Sequence, residues 1–282
     1  MDAHSDDTMS FRTSRSRQLG LFTAISLMIS LPLSAGLIVA PSGSDTVVSG
    51  SADDSIFGPF NLNFGFDFYG AAVTQVNISS NGNVQFSTTD ANYANQAFPY
   101  STAMIAPLWD DYFLPPGDIR YNNTVANQFT VIWNGAGVFA TPSLITAEAI
   151  LLGAGNGFGY AANSIIVSYG AITGTNDNSA TAGLTNGFTL RTCVPGGASD
   201  CTFTTAQILA LQNRAFLFTP VVGSAPGFSV SEISSTAVPE PATLLLGGLG
   251  LALIAMLRMR RVYPPTTSTN ACAAWLSARR AG

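Results

Sequence analysis

The chain has 282 residues, of which 10% are charged, well under the quarter or so usual in soluble domains. It contains no lysine, so its 11 basic residues are all arginine, and against 16 acids they leave a net charge of −5. Between residues 41 and 237 only Arg120, Arg191 and Arg214 stand against ten aspartates, Glu148 and Glu232, an acidic balance that argues against binding nucleic acid through phosphate neutralisation.

In chain order, Arg12, Arg15 and Arg17 precede an apolar run over residues 19–31, and the small residues Ser34, Ala35 and Gly36 follow. A basic stretch, a short apolar core and a small-residue exit predict a secretory signal peptide in the region 1–40, an uncleaved N-terminal anchor being the alternative. Pro41 disfavours a cut after Ala40.

Residues 41–237 carry a period of two. Phe60, Leu62, Phe64, Phe66 and Phe68 alternate with Asn61, Asn63, Gly65, Asp67 and Tyr69, so a strand here points five large apolar groups one way. Burying each is worth roughly 1.5–3 kcal/mol, so that face needs a second layer to pack against. Val76 and Ile78 lead into Ser80-Asn81-Gly82-Asn83, after which Val84 and Phe86 resume, and Asn-Gly between apolar alternations predicts a hairpin. Phe129, Val131 and Trp133 form another alternating strand, while residues 149–152 and 165–167 read as strands buried on both faces. Helical periodicity is confined to a turn or two at residues 205–214. Many short strands with Gly/Asn turns predict an all-β fold, an antiparallel β-sandwich.

Cys193 and Cys201 flank a Pro-Gly-Gly turn, and in an exported chain that spacing suggests one loop-closing disulfide, with two free thiols as the alternative. At the other end, Val238-Pro239-Glu240-Pro241 leads into an uncharged apolar run over residues 242–257, closed by Arg258, Arg260 and Arg261. Such a run is near the lower limit of about 17 residues for a transmembrane helix, and the arginines beyond it favour a cytoplasmic C-terminus.

This ending resembles the sorting signal of the PEP-CTERM family. The resemblance implies that a membrane cysteine protease, exosortase, reads Pro239, Glu240 and Pro241 and separates the protein from its anchor. Two prolines keep the tripeptide extended and one carboxylate gives it a charge to read. The signal then spans 238–261, and residues 262–282 form a short tail that departs from the family pattern.

A second resemblance covers residues 57–190. Phe64-Gly65-Phe66-Asp67-Phe68-Tyr69-Gly70, Val76-Asn77-Ile78-Ser79-Ser80-Asn81-Gly82 and Ile105-Ala106-Pro107-Leu108-Trp109-Asp110-Asp111 follow in order, then Gly117-Asp118-Ile119-Arg120-Tyr121, Phe129-Thr130-Val131-Ile132-Trp133-Asn134 and Ala180-Thr181-Ala182-Gly183-Leu184. Together they are similar to the nidogen-like (NIDO) domain of matrix and adhesion proteins, which implies a noncatalytic extracellular module.

The one histidine, His4, precedes the leader, so a processed domain has no histidine for a Ser-His-Asp or Cys-His system and none for a typical zinc site. Absence of lysine removes Schiff-base chemistry. Carboxylates remain: Asp110 and Asp111 after Trp109, with Asp118 a short loop later. These acids would cap a turn through their own backbone, hold calcium through hard oxygen ligands, or flank a sugar as glycosidase acids do. Glu148, inside an apolar strand, reads as a surface or hydrogen-bonded residue. Tyr93, Tyr100, Tyr112 and Phe113 read as exposed loop aromatics that either stack on sugars or cover a sandwich end.

The sequence thus predicts a noncatalytic, cofactor-free surface or matrix protein of a Gram-negative bacterium. It would cross the inner membrane, be held by its C-terminal helix, be processed by exosortase and work at the surface with extracellular polysaccharide as partner. The competing expectations are a carbohydrate-active hydrolase using Asp110, Asp111 or Asp118, and a permanently anchored single-pass protein.

Overall fold

Alternating apolar and polar residues from Phe60 to Phe68 build the long strand they predict, and the same period recurs through the chain. A computed structural model describes residues 37–48, 52–176, 178–221 and 226–234. Every described residue lies in one compact unit.

Among the described residues the elements run β1 (Thr46–Val47), β2 (Ala52–Asp53), β3 (Ile56–Phe68), β4 (Ala71–Ser79), β5 (Asn83–Gln85), β6 (Ala103–Trp109), β7 (Tyr112–Leu114) and β8 (Asp118–Asn122). They continue with β9 (Gln128–Val138), β10 (Leu144–Leu152), β11 (Ser164–Ile172), β12 (Ser179–Asn186), β13 (Arg191–Cys193), β14 (Thr202–Thr204), α1 (Thr205–Leu209), β15 (Ala215–Val221) and β16 (Gly227–Ile233). One sheet has the order β1-β8-β9-β10-β11-β15-β16, with β7 on β9 and β2 on β7. The other has the order β13-β12-β6-β5-β4-β3, with β14 on β12. Every pairing is antiparallel, as an all-β chain of hairpins and crossovers requires.

The core lies between the two sheets. Leu62, Val76, Ile78, Val84, Ile105 and Leu184 from one meet Phe129, Val131, Trp133, Ala149, Leu151 and Val167 from the other. Alternate residues of β3 are the buried ones: Leu62, Phe66 and Phe68 are buried and Phe60 and Phe64 half-buried, while Asn61, Asn63, Gly65 and Asp67 face solvent. The face survives two register irregularities against β4, between Phe57 and Phe60 and between Asn61 and Phe66. Asn63 takes φ 62° inside the second, a left-handed value asparagine tolerates well. Buried polar handles close on carbonyls across the core. Trp133 Nε1 donates to the Ser79 carbonyl at 2.9 Å, and the Tyr169 hydroxyl to that of Pro107 at 2.7 Å.

Both sheets also carry apolar residues on their outer faces, which explains why the central strands read as apolar throughout. On the β6 side, Met104, Ala106 and Trp109 pack with Phe98 under the loop of residues 87–101. Polar bonds pin that loop: the Gln85 side chain donates to the Asp90 carbonyl at 2.6 Å and accepts from its N–H at 2.7 Å, and Trp109 Nε1 donates to the Asn92 carbonyl at 3.2 Å. On the β10 side, Ile150, Leu152, Ile166 and Leu217 pack under Ile38, Val39, Phe158, Tyr160 and Ile233.

The weak helical signal at residues 205–214 resolves to α1, one turn and a half, opened by a capping box in which the Thr204 hydroxyl and the Gln207 side chain each engage the other's backbone N–H. No helix of the described residues is long and apolar enough to cross a membrane. The predicted leader through Gly36, the membrane run 242–257, the sorting residues Pro239, Glu240 and Pro241, Arg258, Arg260 and Arg261, and the tail 262–282 lie outside the described residues.

Candidate functional site

Antiparallel order brings the β4–β5 and β6–β7 turns to one end of the sandwich, together with the segments after β2, β9 and β11. The β4–β5 hairpin is the one Asn-Gly predicts, with Ser79 opposite Asn83 and Gly82 at φ +78°. Its tip is buried rather than solvent-facing: Ser80 and Asn81 are inaccessible. The Asn81 amide donates to Asp54 Oδ1 at 2.9 Å, and its carbonyl oxygen accepts the Tyr112 N–H at 3.0 Å. A polar tip can be buried here because each of these groups has a partner.

Asp110 follows the buried Trp109, and its carboxylate accepts the Asp111 N–H at 2.9 Å and the Asn176 N–H at 2.9 Å. That is the turn-organising use of an aspartate, now extended to a distant loop. Asp111 accepts from the Asn176 side chain at 3.2 Å, and its backbone carbonyl accepts the Phe139 N–H at 2.9 Å.

Of the acids singled out in sequence, Asp110 and Asp111 stay together and Asp118 does not join them. Asp118 sits on β8, bound by Arg120 Nε at 2.9 Å and by the Asn134 side chain at 3.1 Å. The bond from Arg120 holds its carboxyl below the ordinary range, with Asn134 adding to the effect. Asp53 and Asp54 take the place expected of Asp118: with Asp111 they bring carboxylate oxygens within 4.8 Å of one another, Asp111 buried and the other two exposed. Such like charges repel, and all-oxygen donors match a hard divalent cation such as calcium better than zinc.

The aromatic expectations divide. Tyr93 is exposed, and Tyr100 and Phe113 are half-buried. Tyr112, expected at the surface, is fully buried, and its hydroxyl donates to the Leu108 carbonyl at 2.6 Å. Burial pushes that phenol well above its ordinary range, and the Asp110 charge adds to the shift. Phe113 instead meets the partly exposed Phe139 edge to face, ring centres 6.2 Å apart, beside the carboxylates.

Glu148 is the second unusual carboxylate. It is wholly buried on the outer face of β10 and is hydrogen-bonded. One oxygen accepts the Ile38 N–H at 3.0 Å and the Ser168 hydroxyl at 2.5 Å, and the other accepts the Val39 N–H at 3.2 Å. Cys193 and Cys201 are joined by a disulfide, Cα atoms 4.8 Å apart, next to the outer cluster under residues 87–101.

Asp53, Asp54 and Asn176 are not among the residues that stand out in the sequence. The adjacent acids in Ala52-Asp53-Asp54-Ser55 are the available signal, but nothing local says that they face Asp111. Only the pairing of Asp53 with Phe113 across β2 and β7 brings them there.

Residues 35–220 match the family model described as NIDO related, and residues 237–261 match the PEP-CTERM protein-sorting motif. No curated protein and no solved structure matches the chain.

Proposed function

The chain belongs to the NIDO-related family and carries a PEP-CTERM sorting motif, and we propose that it is an exported, noncatalytic module of the cell surface or extracellular matrix. The carrying observation is the order of the two matches: a β-sandwich of an extracellular kind comes first, and the signal read by exosortase follows within 20 residues of its end. The leader delivers the chain across the inner membrane, the apolar run 242–257 holds it there, and exosortase acts at Pro239-Glu240-Pro241. The sandwich then works in adhesion or matrix assembly, with extracellular polysaccharide as the partner.

Several features support a noncatalytic role. Asp118 is paired with Arg120, and Asp110 is engaged by two backbone amides, which supports a structural use for these two of the three acids named for hydrolysis. The partly exposed Phe113–Phe139 pair beside Asp53, Asp54 and Asp111 offers apolar edge and oxygen acceptors together, the combination sugars use.

The test is co-expression with exosortase. The wild-type chain should lose its C-terminal segment and leave the membrane, and Glu240→Ala should stay membrane-bound at full C-terminal length. Equal release of both, or of neither, would overturn the sorting role given to the tripeptide.

A further inference from the structure

The small residues that end the leader lie immediately before the strap that covers the outer face of β10 and β11. Ser34 and Gly36 stand two apart around Ala35, the small-x-small spacing of a leader cut that would leave Leu37 first. Ile38 and Val39 then pack with the outer cluster of Ile150, Leu152, Ile166 and Leu217. Both of their amides point at Glu148, a carboxylate with no accessible surface and no basic side chain among its hydrogen-bond partners. A buried carboxylate without a cation is costly, and a folded domain ordinarily supplies one.

We propose that the leader is cut between Gly36 and Leu37 and that the α-ammonium group freed on Leu37 becomes the cationic partner of Glu148. Hydrolysis adds water across the Gly36–Leu37 peptide: the carboxylate leaves on the leader and the ammonium stays on the domain, one residue from the amide that Glu148 already binds. Processing thereby changes the charge of this site without altering any other contact of the strap. A cut after Ala40 would instead remove Ile38 and Val39, uncover the outer cluster and leave Glu148 without either amide. The inference rests on the export reading above, because it needs a leader peptidase.

The chain has no lysine, so the mature protein has a single amine, and amine chemistry reports on it alone. The full chain is exported in a bacterial host and its N-terminus read by intact mass. The purified protein is then acetylated with an activated ester near pH 7.5, folded and in urea. The mature chain should begin at Leu37, and its amine should react at least about fivefold more slowly when folded, since near pH 7.5 a one-unit rise from the ordinary α-amino pKa of about 7.8 lowers the free amine about sevenfold. Glu148→Gln should return the folded rate to that of the unfolded chain. A mature chain beginning at any other residue, an amine that reacts equally fast folded and unfolded, or a folded Glu148→Gln protein that stays slow would each overturn the pairing. If Glu148→Gln does not fold, the start point and the wild-type rate ratio still decide. A chain that keeps residues 1–36 sinks the export reading, whereas a cut elsewhere sinks only this inference.

Discussion

Gly82 gives the sharpest test of how the candidate site is built. It closes the β4–β5 hairpin at φ +78°, and a Cβ there would strike the Leu108 carbonyl and the Tyr112 ring. In Gly82→Ala the left-handed backbone costs about 1–2 kcal/mol. Forcing the hairpin tip away from Leu108 adds the ~1–3 kcal/mol typical of overpacking, and the total of ~2–5 kcal/mol is a large share of a domain stability of about 5–15 kcal/mol. Gly135 is the control, because its φ of +64° carries the same backbone penalty while nothing lies within 4 Å of its Cβ position. Equilibrium urea unfolding of the two variants isolates the steric part as the difference between them. Gly82→Ala should unfold at markedly lower urea than Gly135→Ala. Equal midpoints would mean that the tip is not lodged against Leu108 and Tyr112, and the placement of Asn81 between Asp54 and Tyr112 would fall with it.

Glu148 makes the uncut chain sensitive to pH. Burial pushes its carboxyl up to about 8 from an unfolded value near 4.5, against the opposing pull of Ser168 and the Val39 and Ile38 amides, with Asp45 adding to the rise. The folded state therefore holds a proton that the unfolded chain has released. Its stability is complete below about pH 4.5 and falls as pH rises through about 8, by up to ~5 kcal/mol. Thermal melts of a chain that keeps its leader should decline from pH 5 to pH 8, whereas a flat profile would refute the burial. Reducing Cys193–Cys201, which closes a short loop, should lower stability by roughly 2–3 kcal/mol in the urea midpoint, and an unchanged midpoint under reductant would contradict the bridge. Asp118→Asn should cost less than about 1 kcal/mol, because its ion pair with Arg120 is partly exposed; a larger loss would give that pair a role beyond the surface.

The sandwich was legible because its signals are local. A period of two in β3 and β9, and Asn-Gly in the β4–β5 hairpin, depend only on neighbours in sequence, and the same holds for the apolar runs of β10 and β11. That β10 and β11 are buried on both faces is legible in their unbroken apolar runs, but what covers their outer face is not. Ile150 and Leu152 lie under Ile38 and Val39, more than a hundred residues away, and Met104 packs with Phe98 from a loop with no regular period. The acids failed for the same reason. Asp110 and Asp111 announce themselves after Trp109, but the choice of Asp53 and Asp54 over Asp118 as neighbours of Asp111 is made by strand pairing. Tyr112 is expected at the surface because its turn is polar in sequence, but that turn folds inward over the buried Asn81.

Export and sorting are tested most directly by the intact mass of the mature protein from its native host, measured separately in membrane, medium and matrix fractions. A species outside the cell that lacks the leader and everything beyond the Pro239-Glu240-Pro241 region is expected. A chain confined to the membrane with residues 242–261 still attached would contradict it, leaving a single-pass protein whose sandwich works at the periplasmic face.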